Sequence, residues 1–146
     1  MSRLKVALVV PSLGVDGSVE TPAILNLLRG LQATCEVHVF ALKYPSQPGQ
    51  FVVDGVVVTA IGGAQLRTRG LVRQTIRALM RTHRRRSFDV LHGIWLFEPG
   101  FIAVLAGAMI RTPALASVGG VELAALRDVQ IGGELSLRGR LLNRFV

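Results

Sequence analysis

Residues Leu4 to Val10 read LKVALVV, a short apolar run followed by Pro11 and Gly14. Such a run is typical of a strand that is buried on both faces of a parallel sheet. Further apolar runs predict strands over residues 36–42, 56–61, 88–92 and 114–118. Helical spacing of apolar residues predicts helices that begin at Pro22 and that cover residues 71–86 and 99–110. This alternation predicts a Rossmann-like three-layer α/β/α sandwich with a mainly parallel sheet.

Two segments fall outside this alternation. Residues 43–50 contain two prolines and a glycine, which predict a loop. Residues 135–146 have helical spacing, but they end in the apolar pair Phe145-Val146 without a capping glycine or a polar tail. Because an apolar end usually packs against something, we expect residues 1–146 to be one domain of a longer, truncated protein.

Composition supports a single folded domain with a basic surface. Half of the 146 residues are hydrophobic and 18% are charged, which excludes a disordered chain. The net charge of +8 comes almost entirely from arginine, with 15 Arg against 2 Lys. The guanidinium fork binds phosphate well, so nucleotides, phospholipids and nucleic acids are candidate partners. A genome that favours arginine codons explains the same excess.

Other residues bear on the cellular location. Cys35 is the sole cysteine, so the chain has no intrachain disulfide, which suits a reducing cytoplasm. Lys5 interrupts the first apolar stretch, unlike a secretory signal. Residues 101–110 form an apolar stretch of about half the length that a bilayer requires. We therefore expect a cytoplasmic protein, with possible peripheral attachment at the inner face of the cell membrane.

The first candidate binding loop follows the first strand. Ligands of doubly wound sheets bind beyond the carboxyl ends of the strands. There, Gly14, Gly17 and Ser18 form a turn of small residues before a helix, where the backbone can approach a phosphate closely. An ordinary tight turn is the structural alternative.

Two further loops follow the fourth and fifth predicted strands. The candidate binding residues in these loops are His92, Trp95, Glu98, Gly119, Gly120 and Glu122. A hydrogen-bonded structural histidine, a core aromatic residue and a first-turn carboxylate are the alternatives for His92, Trp95 and Glu122. The sequence offers no cluster of metal ligands, so no metal site is predicted.

The predicted helix over residues 71–86 carries an arginine stripe. Arg73, Arg77 and Arg81 recur every four residues, and residues 84–86 add Arg84, Arg85 and Arg86. Such a face suits an anionic lipid surface, at roughly 1 kcal/mol per basic residue. A solvated basic face is the alternative.

These residues together resemble a known family. Gly17–Glu20 stands where a Gly-Gly-x-Glu turn is expected, and Asp89–His92 matches an Asp-hydrophobic-hydrophobic-His segment. Trp95 and Pro99-Gly100 follow, and Gly120–Glu122 is similar to a closing Gly-x-Asp/Glu turn. The chain resembles the N-terminal domain of retaining glycosyltransferases of the GT-B fold, family 4 (group 1). Ser18 departs from the family's second glycine, and Gly119 stands where many members have a histidine.

The resemblance implies transfer of a sugar from a nucleotide-sugar donor to a glycan or lipid-linked acceptor, in glycan, glycolipid or cell-envelope synthesis. It implies that this domain holds the acceptor and that Gly14, Gly17 and Ser18 approach the donor phosphates. The candidate residues of the two later loops would then contact the acceptor or the sugar. His92 and Glu122 become the catalytic candidates. The donor-binding C-terminal domain is absent from the chain, so the fragment alone is expected to be inactive. The resemblance implies no metal and no cofactor beyond the donor.

Two other functions fit parts of the sequence. A non-catalytic basic module that binds anionic lipid or another phosphate-bearing partner would explain the arginine stripe. Nucleic acid is not expected, because one Trp and one Tyr offer little aromatic surface for stacking. A dehydrogenase ranks last, because the first strand is not followed by a G-x-G-x-x-G fingerprint.

Overall fold

A computed structural model describes residues 3–14 and 22–119, together with Leu141 and Arg144. The strands are β1 (Leu4–Ser12), β2 (Cys35–Tyr44), β3 (Gly49–Val53), β4 (Val56–Ala60), β5 (Val90–Ile94) and β6 (Ala114–Ser117). The α-helices are α1 (Pro22–Gln32), α2 (Thr68–Arg86) and α3 (Phe101–Ile110). A short 3₁₀ turn at Gly63–Gln65 precedes α2, and a π turn at Leu96–Gly100 precedes α3.

The strands form one six-stranded sheet in the order β3-β4-β2-β1-β5-β6. Strand β1 pairs in parallel with β2 and with β5. Strand β2 likewise pairs in parallel with β4, and β5 with β6. The β3–β4 pair is antiparallel. The predicted Rossmann-like α/β sandwich with a mainly parallel sheet is therefore confirmed.

The two faces of the sheet bury separate apolar clusters because side chains alternate along each strand. On one face, Phe40 and Leu42 of β2 join Leu71 and Leu79 of α2 and residues of α3. On the other face, Leu8 and Val10 of β1 join residues of α1, with further members Ile24, Leu28, Val39, Val58 and Ile94. This burial explains why the strands read as nearly continuous apolar runs rather than as alternating ones.

The predicted loop over residues 43–50 is wrong at both ends. Lys43 and Tyr44 complete β2, and Gly49 and Gln50 begin the edge strand β3. Asp54 and Gly55 join β3 to β4 with φ angles of 48° and 80°. Two successive positive φ angles match the tight turns that twist a hairpin in the native sense.

Most other predicted elements are confirmed, with shifted ends. The predicted strand over residues 88–92 lies at Val90–Ile94, and α2 begins at Thr68. Pro11 falls inside β1 at a register shift between Val10 and Ser12, where a missing N–H is tolerated. The predicted helix over the tail lies outside the described residues, apart from Leu141 and Arg144.

Candidate functional site

The strand order creates a switch point at the carboxyl edge of the sheet. From β1 the chain moves outward through β2 to β4, whereas β5 and β6 lie on the opposite side of β1. Open parallel sheets bind ligands where the strand order reverses in this way. Gly14 follows β1, Trp95 follows β5 and Gly119 follows β6, so these predicted site residues share this edge. Gly17, Ser18, Gly120 and Glu122 lie outside the described residues.

The turn after β5 depends on a close backbone approach. A Cβ atom on Gly93 would lie 2.5 Å from the Gly100 Cα and 2.6 Å from the Pro99 carbonyl oxygen. Only glycine therefore lets the π turn pack on β5. The Gly100 N–H donates to the Trp95 carbonyl oxygen at 3.0 Å and closes this turn.

Trp95 has an uncommon backbone conformation at this point. Its φ is 71°, in the region that a bulky residue seldom adopts. Its side chain packs on the apolar cluster beside α1. Strain of this kind often accompanies functional sites.

The His92 side chain forms a hydrogen bond with a residue of the neighbouring strand. Its Nε2 lies 2.6 Å from the Ser117 Oγ, which joins β5 to β6 near the carboxyl edge. Desolvation by burial lowers the pKa of His92 below its usual value of 6.5. The imidazole is therefore neutral at pH 7, so it has one nitrogen that donates and one that accepts a hydrogen bond.

Glu98 forms a second fixed pair at the same edge. The residue is buried, and its carboxylate Oε1 lies 3.3 Å from the Nζ of Lys43. The side chain of Lys43 is 45% exposed, against 10% for Glu98. The buried carboxylate thus holds a partly exposed ammonium group in place. Glu98 lies at the predicted site, and its described ion-pair partner is Lys43.

A cleft opens beside this ion pair. Its volume is about 430 Å³, and its lining includes Lys43, Glu98, Arg67 and Thr68. Thr68 begins α2, so the positive end of that helix faces the cleft. The arrangement suits a polar ligand that carries negative charge.

Sequence reasoning missed several of these residues. Lys43 was assigned to a loop, and neither Gly93 nor Arg67 was selected. Ser117 is not among the predicted site residues either. One local pattern does indicate Lys43. This lysine follows the apolar run VHVFAL, so it is a charged residue at the carboxyl end of a strand.

The structure divides the predicted arginine stripe. Arg73 borders an apolar groove between α2 and α3, whereas Arg81 and Arg85 line a cleft on the other flank of α2. Arg77 lies between them and borders both the groove and a small cleft that it shares with Arg81. Arg84 is exposed. Arg86 pairs with Glu36 and also contacts the His38 ring, so it has a role in holding α2 to β2.

The described residues contain neither a metal-binding cluster nor a membrane-spanning helix. Within residues 3–14 and 22–119, no group of three or more His, Cys, Asp or Glu side chains is placed to hold a metal ion. Among the helices that the structure describes, none combines the length and apolar character needed to span a bilayer.

Two solved structures share this fold over nearly the whole chain. A sucrose-phosphate synthase from Thermosynechococcus elongatus has a TM-score of 0.59 at 12% identity, over 96% of this chain and 40% of that chain. A protein assigned as a UDP-N-acetylglucosamine 2-epimerase from Listeria monocytogenes has a TM-score of 0.57 at 14% identity, over 99% of this chain and 37% of that chain. The chain thus spans well under half of either neighbour. These likenesses define the Rossmann-like class of the fold.

The sequence itself defines the family. Residues 21–146 match the family model of the glycosyl transferase 4-like domain. The chain belongs to this glycosyltransferase family, and the resemblance noted from its motifs is confirmed. No curated protein sequence matches the chain.

Proposed function

We propose that this chain is the acceptor-side, N-terminal half of a glycosyltransferase that moves a sugar from a nucleotide-sugar donor to a glycan or lipid-linked acceptor. We assign the reaction to glycan, glycolipid or cell-envelope synthesis. Family membership supports glycosyl transfer in general. The donor serves as a co-substrate, and the proposal includes no other cofactor.

The observation that carries this proposal is the pair of fixed polar contacts at the carboxyl edge. His92 with Ser117, and Lys43 with Glu98, hold an uncharged ring and an ammonium group in defined positions. A neutral imidazole can bond a sugar hydroxyl as donor or acceptor. The ammonium group can contact a phosphate of the donor or an anionic group of the acceptor. Preorganised groups of this kind suit a transfer reaction.

We assign the remaining parts of the reaction to a second domain. Transfer breaks the bond between the anomeric carbon and the donor phosphate and forms a bond to an acceptor oxygen. The nucleoside phosphate leaves, and the proton of the acceptor hydroxyl is released with it. In our proposal a C-terminal domain holds most of the donor, and Gly14, Gly17 and Ser18 approach its phosphates from this side. His92 and Glu122 stay the catalytic candidates. Trp95, Glu98, Gly119 and Gly120 stay candidates for acceptor or sugar contact.

The test compares the full-length protein with residues 1–146. Each is incubated with a panel of radiolabelled nucleotide sugars and with membrane-lipid and glycan acceptors. We expect transfer or slow donor hydrolysis by the full-length protein and none by residues 1–146. Turnover by residues 1–146 would contradict the two-domain proposal. Failure of the full-length protein with every common donor would contradict the transferase proposal.

A groove between α2 and α3 supports a second proposal, which is peripheral attachment of the protein to an anionic membrane. The groove has a volume of about 620 Å³ and an almost wholly apolar lining, formed by Val72, Ile76, Met80, Phe101, Leu105 and Met109. Arg69, Arg73 and Arg77 stand along its border. Apolar residues beside arginines are the pattern of helices that lie in the membrane interface. We propose that this face contacts the anionic inner leaflet of the cell membrane.

Vesicle sedimentation tests the membrane proposal. We expect the full-length protein to bind phosphatidylglycerol vesicles and not phosphatidylcholine vesicles. The double variant Leu105→Asn/Met109→Asn should weaken binding by roughly tenfold, because the apolar contact is lost. The control Val52→Asn changes a side chain that is 70% exposed at the other edge of the sheet and should have no effect. Equal binding by the double variant and the unaltered protein would refute this attachment.

A further inference from the structure

A polar cleft lies on the flank of α2 that faces the edge strands. Helix α2 packs against β2 and leaves Gln50 of β3 and Val57 and Thr59 of β4 open beside it. The resulting cleft has a volume of about 490 Å³. Its floor includes His38, Thr59 and Gln50, and its wall is the C-terminal half of α2. It is separate from the cleft at the carboxyl edge, because the two share no lining residue.

The wall of this cleft carries unpaired positive charge. Arg81 and Arg85 are exposed, and neither forms an ion pair with any residue in the part of the chain that the structure describes. No carboxylate is among the described residues that line the cleft. Arg86 differs, because Glu36 neutralises it. The net charge of the cleft is therefore positive.

The spacing of these arginines suits one shared anion. Residues four apart on a helix are neighbours, so the guanidinium groups of Arg81 and Arg85 can reach the same ligand. Like charges at this spacing repel each other, and a bound anion removes that repulsion. Arg77 lies one turn earlier and lines an adjoining cleft of about 270 Å³ together with Arg81. The row of positive charge therefore continues along the helix.

The floor of the cleft adds a hydrogen-bond donor. The Arg86 guanidinium can only donate, so the His38 Nδ1 accepts its bond at 3.3 Å. The proton of the neutral ring then lies on Nε2, which donates to the Thr59 Oγ1 at 2.8 Å. Because Thr59 accepts this bond, its own hydroxyl hydrogen can turn toward a ligand. The exposed Gln50 amide supplies further donors at the same face.

We infer that this cleft binds a phosphate group through Arg81 and Arg85, with Thr59 and Gln50 as neutral donors. Arginine forks and hydroxyl donors without a carboxylate are the chemistry that recognises phosphate. The ligand class is a phosphate monoester or a diphosphate, either free in solution or as the headgroup of a lipid. The site is independent of the proposed transfer reaction at the carboxyl edge.

Calorimetry on the full-length protein, with pyrophosphate and with inorganic phosphate, tests this inference. We expect saturable binding, and we expect Arg81→Gln/Arg85→Gln to weaken it by tenfold or more, since charge-assisted bonds are lost. The matched control Arg3→Gln/Arg111→Gln removes the same charge at two exposed residues that do not line the cleft and should change the affinity by less than about twofold. Equal losses in both double variants would overturn the inference, because binding would then follow net charge alone.

Vesicles distinguish the two sources of phosphate. Binding to phosphatidic acid vesicles that depends on Arg81 and Arg85, without binding of the free anions, would assign the site to a lipid headgroup. Binding of the free anions without dependence of vesicle binding on these arginines would assign it to a soluble ligand. Thr59→Val should weaken whichever binding is observed by about fivefold, while circular dichroism shows a folded protein. Absence of saturable binding to both ligands would overturn the proposal.

Discussion

The carboxyl edge of the sheet and the exposed surface of α2 both carry charged side chains, but they hold them differently. At the edge, Lys43 is fixed by the buried Glu98, and His92 is fixed by Ser117. On α2, Arg81 and Arg85 have no ion-pair partner among the described residues. Fixed groups suit a reaction that needs defined geometry, whereas unpaired cations suit binding of an anion. The difference separates a candidate reaction site from candidate binding surfaces.

The largest expected effect concerns the backbone that builds the edge. Gly93→Ala places a Cβ within 2.7 Å of the Gly100 backbone, so the π turn must move away from β5. We expect a loss of about 3 kcal/mol in the free energy of unfolding, measured by urea denaturation. The same change at Gly30 of α1 meets no atom within 4 Å and should be neutral or slightly stabilising. Equal stability of the two variants would mean that the close approach is not needed.

The next effect concerns the histidine in the floor of the arginine cleft. Desolvation by burial, with a smaller contribution from Arg86, lowers the pKa of His38 from 6.5 to about 4. The unfolded chain therefore binds a proton below pH 6.5 that the folded chain binds only near pH 4. Stability should fall as the pH falls through this window, by about 3 kcal/mol for this residue.

The variant His38→Gln isolates this contribution. Burial lowers the pKa of His92 as well, so the unaltered protein loses stability in the same direction at both histidines. The variant should lose less stability between pH 6.5 and pH 4 than the unaltered protein, in urea denaturation at matched pH values. Identical pH profiles would show that His38 is not protected from protonation in the folded protein.

A smaller effect compares a buried ion pair with an exposed one. Lys43→Met leaves the buried Glu98 carboxylate without its ammonium partner, and we expect a loss of about 2 kcal/mol in stability. Arg29 and Asp54 form a pair at 2.9 Å with side chains that are 61% and 43% exposed. Arg29→Met should therefore cost less than about 1 kcal/mol. Urea denaturation of both variants measures the two losses in the free energy of unfolding. Equal losses would contradict the finding that the Glu98 carboxylate is buried.

The sequence predicted the sheet well because strands that are buried on both faces leave unbroken apolar runs, as in β1 and β2. The edge strand β3 was missed because Gln50 and Val52 are exposed and because Pro48 suggested a loop. The Asp54-Gly55 dipeptide between FVV and VVV is a strong hairpin signal and would have identified it.

The candidate site was predicted less completely. The carboxyl-edge residues His92, Trp95 and Glu98 follow from fold class, because parallel strands place their ends together. The Lys43–Glu98 pair joins distant segments, and no local pattern predicts it. The need for glycine at position 93 depends on the distance between the π turn and β5. That distance is defined only in the folded backbone. The division of the arginines between two flanks likewise depends on which strands α2 covers.

We propose that the fixed edge, rather than the arginine surface, supports sugar transfer, and a comparison of two histidine variants tests this assignment. The full-length variant His92→Gln is compared with His83→Gln in the radiolabelled transfer assay. His83 lies at the end of α2, where its Nδ1 accepts the Phe88 N–H at 3.1 Å. We predict that His92→Gln lowers kcat/KM by about a hundredfold and that His83→Gln leaves it within about threefold. Unchanged transfer by a folded His92→Gln protein would contradict the account.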